Sequence, residues 1–168
     1  MTLIIHDLKE EDSENILKEN SKKTILISNN GKIKPCAGCE CCVIKTPGQC
    51  LIQDGYDNVG LLLSKCNQMI IISQCFYGGY SPFVKNVLDR TAGSYLLPTF
   101  IVKNGETHRL KRYSNNIKLY VHFYGNILEI EKETARKLVK ANENNFCYAS
   151  SVYFYNSSKD IKELNNEN

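Results

Sequence analysis

The stretch QMIIIS, residues 68–73, is apolar at four consecutive positions, with no polar residue in alternation. A strand with one wet face alternates, so a continuously apolar one must be covered on both faces, as in the middle of a parallel sheet. Parallel neighbours in turn require crossovers long enough to hold a helix. The rest of the chain supplies them.

Residues 2–8 read as a buried strand, and residues 10–20 as a short helix with acid in its first turn, where the helix dipole favours it. TILIS, residues 24–28, is a second strand ended by the turn signal NNG. Val59, Leu62 and Leu63 fall at helical spacing just before the apolar strand. Beyond it, Ser81 can cap a helix, Pro82 suits its first turn, Phe83, Val84, Val87 and Leu88 form a buried stripe, and Gly93 can end it. A hairpin turning at Asn104 and Gly105 is expected in FIVKNGETH. IKLYVHFYG reads as a strand, residues 129–143 as a charged helix supported by Glu133 with Lys137, and SSVYFY as a last strand. The polar tail from Asn156 is expected to fray.

Strand and helix taking turns with right-handed crossovers predict an α/β fold, a five-stranded parallel sheet between helical layers. A length of 168 residues at 42% apolar content suits a single domain over residues 1–157, with 158–168 as its tail and no need of disulfide staples. No run of eighteen apolar residues occurs, and the N-terminus lacks a basic region and a small-residue cleavage site, so a cytoplasmic protein without a membrane partner is expected. The net charge of +3 is spread along the chain and no nucleic-acid module is recognisable, which argues against a nucleic-acid partner.

Ligands of such sheets sit at the carboxyl ends of the strands, near the point where strand order reverses. The loop after the apolar strand carries Phe76, Tyr77 and Tyr80 around Gly78 and Gly79, a pattern suited to a flat ring that stacks while backbone approaches it closely. The plain alternative is a tight turn whose aromatics pack on neighbouring helices. The loop after the fourth sheet strand repeats the theme with Phe123, Tyr124 and Gly125.

Five of the eight cysteines lie in KPCAGCECCVIKTPGQC, residues 34–50. Cys36, Cys39 and Cys42 follow the C-x2-C-x2-C rhythm of cluster ligands, with Cys50 as a fourth thiolate. Zinc is less favoured, because all the ligands would come from one short loop. Reactive thiols activated by Lys34 or Lys45 are a third reading, and reduced thiols packing the loop on the sheet are the leading one. Cys66, Cys75 and Cys147 stand apart, and Cys75 falls in the aromatic loop. His6 and His122 read as satisfied strand histidines, and Asp54 as a helix cap.

IKPCAGCECCVIKTPGQCLIQDGYDNV followed by IIISQCFYGGYSPFVKNVLDRT resembles the NAD(P)H-dependent FMN reductase and iron-sulfur flavoprotein group of the flavodoxin-like superfamily. The match covers residues 32–91. The resemblance implies a flavodoxin-like three-layer sandwich of sheet order 2-1-3-4-5, with FMN as cofactor, NAD(P)H and an electron acceptor as partners, and a homodimer or homotetramer. It places cofactor contacts on Ser73, Gln74, Cys75, Phe76, Tyr77, Gly78, Gly79, Phe123, Tyr124 and Gly125, and a [4Fe-4S] cluster on Cys36, Cys39, Cys42 and Cys50. Lys85, Asp89 and Arg90 fall on the helix that follows the flavin loop. Gln74 stands where the group usually has proline, and Phe76 where it has tyrosine.

The loop after the first strand departs further. That group places a Gly/Ser/Thr/Arg-rich phosphate cradle there, whereas this chain has Glu10, Glu11 and Asp12. His108, Arg109, Lys111 and Arg112 could lend positive charge instead, although a basic run is more often a solvated face. Two functions survive: a flavin-dependent NAD(P)H oxidoreductase, or a flavodoxin-like protein that has lost FMN and serves as a thiol, metal or protein-binding module.

Overall fold

In the computed structural model of the chain, residues 1–17, 23–103, 105–162 and 164 are described. The apolar run becomes β3 (Gln68–Gln74), buried from Met69 to Ser73. It lies between β1 (Thr2–His6) and β6 (Lys118–Tyr124), both parallel to it. Outside these come β2 (Thr24–Ser28), paired with β1, and β7 (Ala149–Tyr155), paired with β6. One rank across the sheet reads His6, Ile72, His122, Tyr153.

The connections hold α1 (Glu10–Leu17), α2 (Cys41–Ile44), α3 (Val59–Leu63), α4 (Pro82–Tyr95) and α5 (Glu129–Phe146). The chain also makes β4 (Leu96–Lys103) and β5 (Glu106–Lys111), an antiparallel pair outside the main sheet. The sheet order is therefore β2-β1-β3-β6-β7. It differs in label from the expected 2-1-3-4-5 because the hairpin takes two numbers between the third and fourth sheet strands. This is the order of the flavodoxin-like arrangement, with the reversal point between β1 and β3.

Side chains alternate between the faces, and the faces are unequal. Leu3, Ile5, Ile71, Val121 and Phe123 pack with Val59 and Leu63 of α3, Phe83 to Leu88 of α4, and Ala135, Val139 and Phe146 of α5. On the other face Ile4, Ile70, Ile72 and Tyr120 pack with Leu8 and Ile16, and with Ile161 and Leu164. The tail therefore does not simply fray: Ser158–Asp160 is a 3-10 turn, Ser158 Oγ donates to Asp12 at 2.7 Å, and Ile161 and Leu164 are buried.

Several other expectations are corrected. Gly93 does not end α4, which continues to Tyr95; a Cβ at Gly93 would stand 2.7 Å from Cys42 Sγ, so glycine serves close approach there. Among the described residues the ion pairs along α5 are Glu129 with Lys132 and Lys140 with Glu143, rather than the expected Glu133 with Lys137. His6 is buried but unsatisfied, since neither ring nitrogen has a hydrogen-bond partner among the described residues. Residues 18–20 of the first expected helix, and Asn104 of the hairpin turn, lie outside the described residues.

Candidate functional site

Beyond β3 the chain folds into a miniature hairpin. Phe76 N donates to Gly79 O at 2.9 Å and Gly79 N to Phe76 O at 2.8 Å, which leaves Tyr77 and Gly78 as a two-residue turn. Both have positive φ, 51° and 80°, as a type I′ turn requires. A tyrosine in that region is uncommon and mildly strained. The turn carries its aromatics outward: Tyr77 is 89% exposed and Phe76 42% exposed.

Gly78 is needed for packing, because a Cβ there would lie 2.7 Å from Glu131 O and 2.6 Å from Thr134 Cβ of α5. At Gly79 a Cβ would meet only Phe76 O at 3.3 Å. Ser73 is fully buried; its hydroxyl donates to Gln74 O and accepts from Ser81 N, each at 2.9 Å, tying strand to helix cap. Cys75 is half-buried, and burial raises its thiol pKa, so it is not poised as a thiolate.

One expected contact residue, Phe123, and Tyr80 of the aromatic loop face elsewhere. Phe123 is fully buried and Tyr80 nearly so; their rings stack at 5.3 Å, and the Tyr80 hydroxyl accepts from Asn142 Nδ2 at 2.9 Å. Both belong to the core, Phe123 by strand alternation in β6 and Tyr80 from the loop before α4. Tyr124, one residue on, points to the opposite face, and Gly125 follows with φ 123° beneath Gln74, whose Cγ lies 3.9 Å from where a Cβ would be.

Asp7 was not anticipated. It follows β1 at the reversal point and accepts from Gln74 N with both oxygens, at 3.2 and 3.0 Å, and from the Tyr124 hydroxyl at 2.9 Å. One carboxylate thus laces together the ends of β1, β3 and β6. Burial, and then the Asp7 charge, raise the Tyr124 pKa and keep its hydroxyl protonated. The available signal was an acid directly after a buried strand at the expected ligand edge.

The cysteine loop is held as a separate unit. Asp54 does not cap a helix: its carboxylate takes Arg90 Nη1 at 2.6 and 2.7 Å, Lys34 N at 2.8 Å and Tyr56 N at 3.2 Å, while Arg90 Nη2 donates to Ile52 O at 2.7 Å. Burial would raise the Asp54 pKa, but the Arg90 hydrogen bond and the two amides outweigh it and hold the carboxyl below its usual range. On the same helix Lys85 pairs with Asp89.

Cys36 and Cys39 are exposed, whereas Cys42 and Cys50 are buried. Among the described residues no three His, Cys, Asp or Glu side chains converge to hold a metal ion, so the expected cluster finds no assembled ligand set. The basic run does not reach the reversal point. Arg109 pairs with Glu40 at 3.3 Å, Arg112 donates to Val43 O at 3.1 Å, and His108 lies 3.4 Å from Glu106. The first two contacts bind the end of the hairpin to the cysteine loop, and the third lies within β5. His108, Arg109 and Lys111 also line a cleft of about 420 Å³ with Glu143, Cys147 and Tyr148. Among the described residues no helix is long and apolar enough to cross a membrane.

No protein-family model matches the chain, and no curated protein matches it significantly. Solved structures similar to it in backbone include the Trp repressor binding protein from Bacillus subtilis, 14% identical, covering 96% of this chain and 90% of that one at a TM-score of 0.51. An FMN-dependent NADH-azoreductase from Bacillus anthracis, solved in complex with FMN, is 9% identical and covers 96% and 91% at a TM-score of 0.54. A thermophilic tryptophan halogenase from Streptomycin violaceusniger is 11% identical and covers 100% and 99% at 0.56. At these identities the likeness is one of fold.

Proposed function

We propose that this chain is a flavin-dependent NAD(P)H oxidoreductase of flavodoxin-like fold, with the flavin ring resting on the 76–79 turn. The observation that carries the reading is placement: exposed Phe76 and Tyr77 stand on a glycine turn at the carboxyl end of the central strand, beside the reversal point. The azoreductase of similar fold, solved with FMN, supports it.

The residues fit one end of FMN. Phe76 and Tyr77 offer stacking faces, Gly79 leaves room for close approach, and Gln74 over Gly125 closes the side towards β6. They do not fit a phosphate at β1, where Asp7 and the acidic first turn of α1 stand. A bound flavin would supply hydride acceptance from the nicotinamide and onward electron transfer. The chain's own part is positioning: Ser73 fixes the turn to α4, and Asp7 holds Gln74 and Tyr124 in register. A homodimer or homotetramer is part of the proposal, supported by Phe100, Ile101 and Val102 exposed together on the hairpin.

Quenching of flavin fluorescence on titration with the protein tests the reading. Stacking on an aromatic is worth roughly 1–3 kcal/mol, so Tyr77→Ala should weaken flavin binding about tenfold. No quenching by the wild-type chain with any flavin would sink it. A second reading, a thiol module without flavin, is favoured by the Cys39 and Cys41 pair: the Cys41 backbone and thiol hydrogen-bond to Cys39 and lower its pKa, while Cys41's own pKa is raised. Selective alkylation of Cys39 at neutral pH, with no flavin bound, would be its signature.

A further inference from the structure

We propose that the reversal point at the carboxyl ends of β1, β3 and β6 takes a flavin in its phosphate-free form, an uncharged isoalloxazine such as riboflavin, because the Asp7 carboxylate already takes the Gln74 amide there. The inference rests on the flavin reading and adds the chemical class of ligand to it.

In an open α/β sheet the reversal point offers backbone N–H groups and a helix N-terminus to an anion. Here the amide of Gln74 is engaged by both oxygens of Asp7, and the Tyr124 hydroxyl by one of them. The chain has supplied its own anion. A second one has to displace it or lie against it.

The surroundings offer little relief. Residues 7–13, DLKEEDS, carry four carboxylates and Lys9; even with Lys159 and Lys162, which line a cleft with Asp12 and Ile16, carboxylates outnumber the cations here. Asp12 is fixed in place by the Ser158 hydroxyl at 2.7 Å, and the Ser13 amide is closed onto Lys9 O at 2.9 Å. Two of the basic side chains that sequence would recruit are engaged elsewhere, Arg109 on Glu40 and Arg112 on Val43 O, and the nearby Arg90 is held by Asp54. A phosphate monoester brings a charge of about −1.5 to −2 into this field. An uncharged ring with a polyol chain brings none. It can also use Asp7 and the neighbouring carboxylates as hydrogen-bond acceptors for its hydroxyls, which reverses the usual polarity of this corner of the fold.

The test is a pair of fluorescence titrations of the wild-type protein, with riboflavin and with FMN, at low and at high salt. Unscreened repulsion between charges a few ångströms apart predicts that riboflavin binds at least about tenfold more tightly than FMN at low ionic strength. Added salt should narrow the gap by improving FMN binding, since exposed charges are screened. Asp7→Asn should narrow it further by removing the central charge. FMN binding as tightly as riboflavin, or more tightly, in the wild type overturns the inference and leaves the flavin reading standing. A preference for riboflavin that neither salt nor Asp7→Asn alters also overturns it, since the cause would then be shape. Binding of neither flavin overturns the flavin reading and this inference together. Should Asp7→Asn not fold, the salt series on the wild type still decides.

Discussion

On one face of the sheet Leu3, Ile5, Ile71, Val121 and Phe123 meet α3, α4 and α5, whereas on the other Ile4, Ile70, Ile72 and Tyr120 meet the eight-residue α1 and the buried tail residues Ile161 and Leu164. The first face has the larger apolar cluster, and the polar groups buried with it, such as Ser73 and Arg90, are hydrogen-bonded. The second also buries His6 and His122, with Tyr153 and Tyr155 stacked on His122 at 5.0 and 5.8 Å. Tyr124, the last residue of β6, packs on this side and donates to Asp7 at 2.9 Å. The larger apolar cluster lies on one side of the sheet, and the two buried strand histidines lie on the side with the slighter cover.

The largest expected effect comes from cutting into the thick face. Phe123→Ala removes a fully buried ring stacked against Tyr80 and Phe154 and should cost about 3–5 kcal/mol in denaturant unfolding. A loss under about 1 kcal/mol would mean that the helices repack and the contrast between the faces is false.

Acid should attack the thin face first. Burial pushes the His122 pKa down to about 4, and burial also lowers His6 despite the nearby Asp7 charge. The unfolded chain therefore binds protons that the folded one refuses, so stability is full above about pH 6.5 and falls as pH drops towards 4. For His122 the loss amounts to about 3 kcal/mol at the low end. The depressed carboxyl of Asp54 acts in a different window: its contribution is complete above the ordinary carboxylate pKa and is lost only below it. Equilibrium unfolding of His122→Gln between pH 7 and 4 should show a flatter slope than the wild type, and an equal slope would remove His122 as the cause.

Ile161→Ala probes the cover itself. Its side chain is buried at the margin of the smaller cluster, so a loss near 2 kcal/mol is expected, below that of Phe123→Ala. An effect as large as that of Phe123→Ala would make the tail a full structural layer and undo the distinction.

What could be read beforehand depended on how local the determinant was. The apolar run of β3, the cap and stripe of α4 and the alternation of β6 are written within a few residues, and hydrophobic period exposed them. Asp7 was illegible because its partners lie 67 and 117 residues away. Arg90 and Asp54 are 36 residues apart, so the clasp that seats the cysteine loop gave no local sign. The aromatic loops were visible as composition, but composition does not say which way a ring points. Tyr80 and Phe123 went to the core, while Phe76 and Tyr77 remained outside. Burial of the tail was missed for a related reason: Ile161 and Leu164 are isolated apolar residues in a polar segment, and only the assembled sheet gives them a surface to cover.

The hydrogen bond from Ser158 to Asp12 spans 146 residues, joining the 3-10 turn to the first helix. During synthesis the amino-terminal strands leave the ribosome long before that turn exists. The nascent chain thus keeps Ile4, Ile70, Ile72 and their histidine neighbours without this cover until Ile161 and Leu164 have emerged, and a chain cut before Ile161 is expected to bind chaperones through this row.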